Sequence, residues 1–535
     1  MASFGVLNWS IVIGYLVGTL LLGIVLSRRI HTAEDYYLGD RSTPWWAIGV
    51  SVVATYVGAL TFLGGPAWAY EEGFSVILIH VNYPLAIFVV VSVFLPFFYN
   101  SGVASIFDYL EKRFGLVTRT LMSTVFLFGN IAYSGIMLYT TALVLQFITG
   151  IEVIPAILIV ATVALIYTTM GGIAAVIWTD VAQTAILLFG AGIVLFLLLH
   201  ALPGGLLQSL IALDEVGRLD PFNTSRNPEI VATIWTGVVA MSIYHVVVYG
   251  VNQMMVQRTL TAKTLGDAKK SYILMGYVAF PIFFTFFLIG ILLYQFFEGR
   301  VFDNGNMIIL EFVRQVEVPG LMGIIAAAAV AAAMSSLDSS LNSMATVTTI
   351  DFYQQYWKRS GSPEHYLKAS RWFTVMWGVL IVLPAIVFMG SDGSVLETLS
   401  KVGSFLVGAK LAAYMLGFYS RHTTEKGLMV GIAAGFLALW WLETATNTAW
   451  PWYAAIGGLV SVPVAFVASL LIDGRQASYH EYTVKGQQEL FRSEGRAEKE
   501  NGWYVLPGKI DRASYGLLIY FMLSLGLLWL FKNLS

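Results

Sequence analysis

The chain has 535 residues, 57% of them hydrophobic and 12% charged, with a net charge of −2 and no cysteine. About a quarter of a soluble chain is charged, so this balance excludes an ordinary soluble enzyme and gives no nucleic-acid footprint. The lack of cysteine excludes disulfides, thiolate metal sites and thiol nucleophiles. Long apolar stretches recur from residue 6 to residue 532, and only lipid solvates so much apolar surface. The expected fold is an all-α polytopic membrane protein.

In chain order the candidate spans are roughly 6–27, 45–70, 74–99, 120–148, 154–169, 173–200, 229–254, 271–297, 319–346, 372–390, 398–419, 427–444, 453–472 and 513–532, about fourteen transmembrane helices in all. The first lacks a basic leader and ends in Arg28 and Arg29, so it reads as a retained anchor. An even count puts both termini on one side. Most of the 30 lysines and arginines fall in loops that are inside if both termini are outside, which favours that orientation in a plasma (inner) membrane. The polar insert at about 473–512 is then cytoplasmic, and its mixed charge reads as a solvated linker rather than a domain.

The second span, around Gly58, and the seventh, at Gly250, combine β-branched residues, an aromatic and a glycine where the helical ladder can open. They lie five spans apart, as in two inverted five-helix repeats that hold substrate and ions at the midplane. The expected organisation is an extra N-terminal helix and cytoplasmic loop (1–44), a first repeat (45–200), an outer loop (201–228), a second repeat (229–419), and three C-terminal helices with the insert (420–535).

Polar groups inside spans are costly and call for a reason. The sixth span carries Asp180 in GGIAAVIWTDVAQTAIL. The ninth reads AAAVAAAMSSLDSSLNSMATVTT and puts Ala332, Ser335, Ser336, Ser339 and Ser343 on one helical face with Asp338 at its edge, an oxygen-rich stripe suited to a small hard cation. Lys410, in the eleventh span, has no charged neighbour at helical spacing. Three roles are open to it: snorkelling, pairing with an aspartate of another helix, or facing an anionic substrate.

Four segments, DYYLGDRSTPWW, GGIAAVIWTDVAQT, YGVNQMMVQRTLTAK and MSSLDSSLNSMATVTTIDFY, stand in order along the chain. Together they resemble the solute:sodium symporter family of sodium-coupled sugar, sialic acid, proline, iodide, vitamin and monocarboxylate transporters. The resemblance implies a five-plus-five inverted-repeat core with broken helices, in spans two to six and seven to eleven. It also implies a sodium site on the Ala54, Val57 and Ala332 carbonyls with the Ser335 and Ser336 hydroxyls. A second sodium site, held by some members only, matches Asp180, Ser335, Asp338 and Ser339, where Asp338 replaces a serine of the two-sodium pattern. That change either tightens a second site or ties Asp338 to Lys410 and removes it.

The same resemblance puts Tyr56, Thr61, His80, Tyr83 and His245 at the substrate pocket, with Lys410 as a further candidate. Polar side chains of sugar-binding members are replaced by His80 and His245, Ala279 stands where the bacterial galactose carrier has a lysine, and the arginine that holds sialic acid is absent from GNIAYSGIMLY. The expected function is sodium-coupled import of a small organic solute, a carboxylate or sugar-related compound, by alternating access. Sodium, the solute and the lipid bilayer are the expected partners, with no nucleic acid and no obligate protein partner. The alternatives are a proton-coupled carrier, because Asp180, Asp338, His80 and His245 all titrate, and a channel or sensory membrane protein. No HExxH, nucleotide loop or serine-nucleophile motif marks an enzyme.

Overall fold

The computed structural model describes residues 4–28, 30–39, 41–58, 60–103, 105–390, 395–474 and 481–533. Helix dominates, because in hydrocarbon a backbone must satisfy its own N–H and C=O groups. Among the described residues the named strands, Lys499–Glu500 and Trp503–Tyr504, lie in the polar insert. Among the described residues ten helices are long and apolar enough to cross a membrane, and two bent pairs bring the number to twelve. The expected fourteen is not confirmed by this number. One reason is helix Val153–Ala201, whose 49 residues are far more than one bilayer crossing needs. It joins the expected fifth and sixth spans through Gly172, whose φ of 53° and ψ of −152° interrupt the helical geometry. Glycine is required there twice over, since a Cβ would also stand 2.9 Å from the Tyr36 ring and 3.1 Å from its Cα.

Both expected interruptions are present. Trp45–Tyr56 meets Thr61–Glu72 at a 64° bend around Gly58, and Thr236–Gly250 meets Gln253–Thr259 at 55° just after Gly250. Helix Leu321–Val347 is the central pole, with its serine stripe at 1% exposure or less. The outermost helices leave large apolar side chains uncovered, among them Phe128 at 69%, Trp440 at 64% and Leu471 at 81%. Such a surface suits lipid.

The polar insert is not the solvated linker that its charge suggests. Its described part packs on the ends of the third and eighth spans near residues 97–100 and 269 and on the helix Ile106–Arg113. Asn100 Nδ2 donates to the Val505 carbonyl (2.7 Å), Gln487 Nε2 to that of Phe97 (3.2 Å), and Tyr109 Oη to that of Tyr482 (3.1 Å). The buried Lys269 Nζ reaches both the Tyr504 carbonyl (2.7 Å) and Asp511 Oδ2 (2.6 Å). A few anchors, Val484, Phe491 and Leu506, do the packing amid exposed charge, which composition alone hides. Asp511→Asn strands the Lys269 ammonium and is expected to destabilise the protein by about 3 kcal/mol, with Lys269→Met in the same chain recovering most of it. Thermal unfolding of the purified variants checks this, and an Asp511→Asn protein as stable as wild type would count against a clamped insert.

Candidate functional site

A cavity of about 960 Å³ lies between the two bent pairs. It is lined by all six expected substrate positions, Tyr56, Thr61, His80, Tyr83, His245 and Lys410, and its far end reaches Glu71, Glu72 and Asp303. One wall is a stack of rings. His80 lies 3.8 Å from Phe283 with the planes 10° apart, and Tyr83 lies 4.4 Å from His245 at 22°. His80 Nδ1 is 3.0 Å from the Tyr83 hydroxyl. The 3₁₀ segment Phe74–His80 passes here into helix Tyr83–Val89, with Pro84 tolerated in the first turn where an N–H would have no helical partner. Asn252, at the break of the seventh span, donates to Tyr56 Oη (3.0 Å) at the break of the second, so the two interruptions meet at the cavity.

Lys410 is half-buried on helix Val395–Tyr419, its Nζ 5.8 Å from the Phe126 ring centre. Among the described residues no carboxylate pairs with it, and it lines the cavity. Of its three open roles, the pairing with Asp338 is therefore not what the structure shows.

Behind the cavity the second span's break abuts the serine stripe. A Cβ on Gly58 would stand 2.8 Å from Ser336 Oγ and 3.4 Å from the Ala332 carbonyl. Ser336 Oγ donates to the Thr55 carbonyl at 3.2 Å, while the buried Ser335 hydroxyl lies beside the Asp180 carboxylate. Val57, with φ −89° and ψ 64°, ends the helical run. Ala54, Val57, Ala332, Ser335 and Ser336 are all under 5% exposed. The structure thus sets the break after Val57 against Ser336 and the Ala332 carbonyl, with Ala54 and Ser335 buried, an oxygen-rich setting that suits a hard monovalent cation.

The two acids lie deeper. Asp338 Oδ2 accepts from Tyr167 Oη (2.8 Å) and Thr179 Oγ1 (3.3 Å), and Ser339 Oγ donates to Asp338 Oδ1 (3.2 Å). Asp180 Oδ2 accepts from Ser51 Oγ (2.5 Å) and pairs with Arg258 Nη2 at 3.3 Å. Arg258 also bonds Ser339 Oγ, donates from Nε to Ser51 Oγ (2.7 Å) and from Nη1 to the Met254 carbonyl (2.7 Å). The guanidinium, not Lys410, is the fixed cation of this cluster. Arg258 falls within YGVNQMMVQRTLTAK just beyond the break, where a cation outside the expected spans draws no notice. Arg258 pairs with Asp180 and not with Asp338 among the described residues, so an ionised Asp338 leaves one negative charge over in a cluster that also buries the Ser335 hydroxyl.

A model described as the sodium:solute symporter family matches residues 36–435. The sodium/sialic acid symporter SiaT of Proteus mirabilis is 29% identical over 89% of this chain and 97% of its own. The human sodium-coupled monocarboxylate transporter 1 is 28% identical over 82% of this chain and 74% of its own. A solved Na⁺-coupled sialic acid symporter, in a substrate-bound outward-open state that reveals a novel Na⁺-site, superposes with a TM-score of 0.82 at 28% identity, covering 89% of this chain and 100% of that one.

Proposed function

Because the chain belongs to the sodium:solute symporter family, whose members here are integral membrane transporters that move a small organic solute with sodium, we propose that its own solute is a small carboxylate held between Lys410 and the His80–His245 wall. The observation that carries this is Lys410: a half-buried ammonium in an aromatic cavity, without a carboxylate partner among the described residues, suits an anion. The monocarboxylate and sialic acid substrates named for the relatives are of the same class.

Sodium binds on the Ala54, Val57 and Ala332 carbonyls and the Ser335 and Ser336 hydroxyls, beside the break whose other face is Tyr56. A second sodium is held by Asp338 with Asp180, Ser335 and Ser339, where an ionised Asp338 leaves a surplus negative charge beside the Asp180–Arg258 pair. The cavity end at Glu71, Glu72 and Asp303 faces outside, with both termini outside in a plasma membrane. On the inner side Arg119, salt-bridged to Asp351 (2.7 Å) and Glu111 (2.5 Å), and Arg113, donating to the Ser420 carbonyl (2.5 Å), support a closed inner gate. Rocking of one repeat on the other then opens the site inward, with no obligate protein partner. Each sodium gains about 2.3 kcal/mol from 100 mV and about 1.4 from a tenfold gradient; a monovalent carboxylate gives back about 2.3, so two sodiums leave about 5 kcal/mol, enough for roughly several-thousandfold accumulation.

Thermal unfolding in sodium against choline, across monocarboxylates and sugar acids, tests the substrate class. An acid that stabilises by a few degrees, in sodium only, is expected, and Lys410→Met removes that stabilisation while keeping the one from sodium itself. An acid response that survives Lys410→Met, or stabilisation by uncharged sugars alone, would contradict a carboxylate solute.

A further inference from the structure

We infer that Asn82 fixes His245 as a hydrogen-bond acceptor toward the cavity, so that the solute carries a hydroxyl or N–H group where it meets His245; this rests on the cavity being the substrate site. Asn82 is fully buried, two residues beyond His80. Its Nδ2 donates to the Ile79 carbonyl at 2.8 Å, which turns the amide oxygen toward His245, and Oδ1 lies 2.6 Å from His245 Nδ1. An amide oxygen only accepts, so Nδ1 carries a proton. Among the described residues no carboxylate reaches the ring, whose aromatic neighbours are Tyr83, His80, Tyr244 and Tyr249. An uncharged imidazole has one N–H, and with that proton on Nδ1 the other nitrogen, Nε2, presents a lone pair. Nε2 has no partner among the described residues and is not among the buried unpartnered atoms; it opens on the cavity that His245 lines. His80 is not fixed in this way, because the Tyr83 hydroxyl beside its Nδ1 both donates and accepts.

The cavity then has two unlike poles. Lys410 takes the carboxylate, and His245 Nε2 takes a donor. An unsubstituted alkyl carboxylate leaves the Nε2 lone pair facing apolar carbon, whereas a hydroxy or amino acid satisfies it. Asn82 touches no substrate in this arrangement; it is a positioning residue that acts through His245.

Nitrogen-15 NMR of histidine-labelled protein in nanodiscs, in sodium and without solute, reads the tautomer directly, with His245 identified by the signals lost in His245→Gln. An N–H signal at Nδ1 and an unprotonated Nε2 are expected. Asn82→Leu moves the proton toward Nε2, and Asn82→Ser serves should the leucine variant misfold. A protonated Nε2 in the wild-type protein overturns the inference whatever the variants do. In the sodium-dependent thermal shift, lactate is expected to bind about tenfold or more tightly than propionate, and gluconate than hexanoate. Equal binding within both pairs also overturns it. Silence of all four acids tells against the carboxylate reading, and the nitrogen spectrum then decides the inference by itself.

Discussion

Arg258→Met is expected to abolish sodium-driven uptake and to cost roughly 3–5 kcal/mol of stability, the effect of stripping a buried carboxylate of its only fixed countercharge. Arg258 is fully buried and touches Asp180, Ser51, Ser339 and the Met254 carbonyl. Removing it leaves Asp180 and Asp338 facing each other without a guanidinium. Asp180→Asn in the same chain removes the orphaned charge, so the double variant regains most of the stability while uptake stays low. Thermal unfolding and proteoliposome uptake of the three proteins check this. A single variant as stable as wild type would show that the cluster is not held by Arg258.

The second large effect is on sodium affinity. Ser335→Ala and Ser336→Ala each remove one oxygen from the shell formed with Ala54, Val57 and Ala332, and each is expected to raise the sodium concentration for half-maximal uptake about tenfold or more at unchanged expression. Ser336 also gives up its bond to the Thr55 carbonyl, and the Ser335 hydroxyl its place beside Asp180. Sodium dependence unaltered in both variants contradicts the site.

Much of this was legible in the sequence because membrane insertion makes each exception conspicuous. Glycines among β-branched residues at 58 and 250 marked the two bends, and a serine stripe with one aspartate marked the central pole. The six candidate substrate positions line one cavity. What stayed hidden depends on contacts between distant segments. Asp180 and Arg258 are 78 residues apart, and no periodicity joins them. Lys410 was weighed against Asp338 because spacing cannot show that Tyr167 and Thr179 already serve that carboxylate. Asn82 drew no notice, since its role lies in a side chain turned across to the seventh span. The insert looked solvated because its anchors are few and a buried ion pair joins Lys269 to Asp511 across the intervening chain.

The central claim is that the charge left over by Arg258 is neutralised by a second sodium. Equilibrium binding of ²²Na⁺ to the purified protein tests it most directly by counting ions per chain. The account predicts two in the wild type, one in Asp338→Asn, and one of lowered affinity in that variant once Ser336 is also alanine. A wild-type protein that binds a single sodium, with the same number in Asp338→Asn, would contradict it.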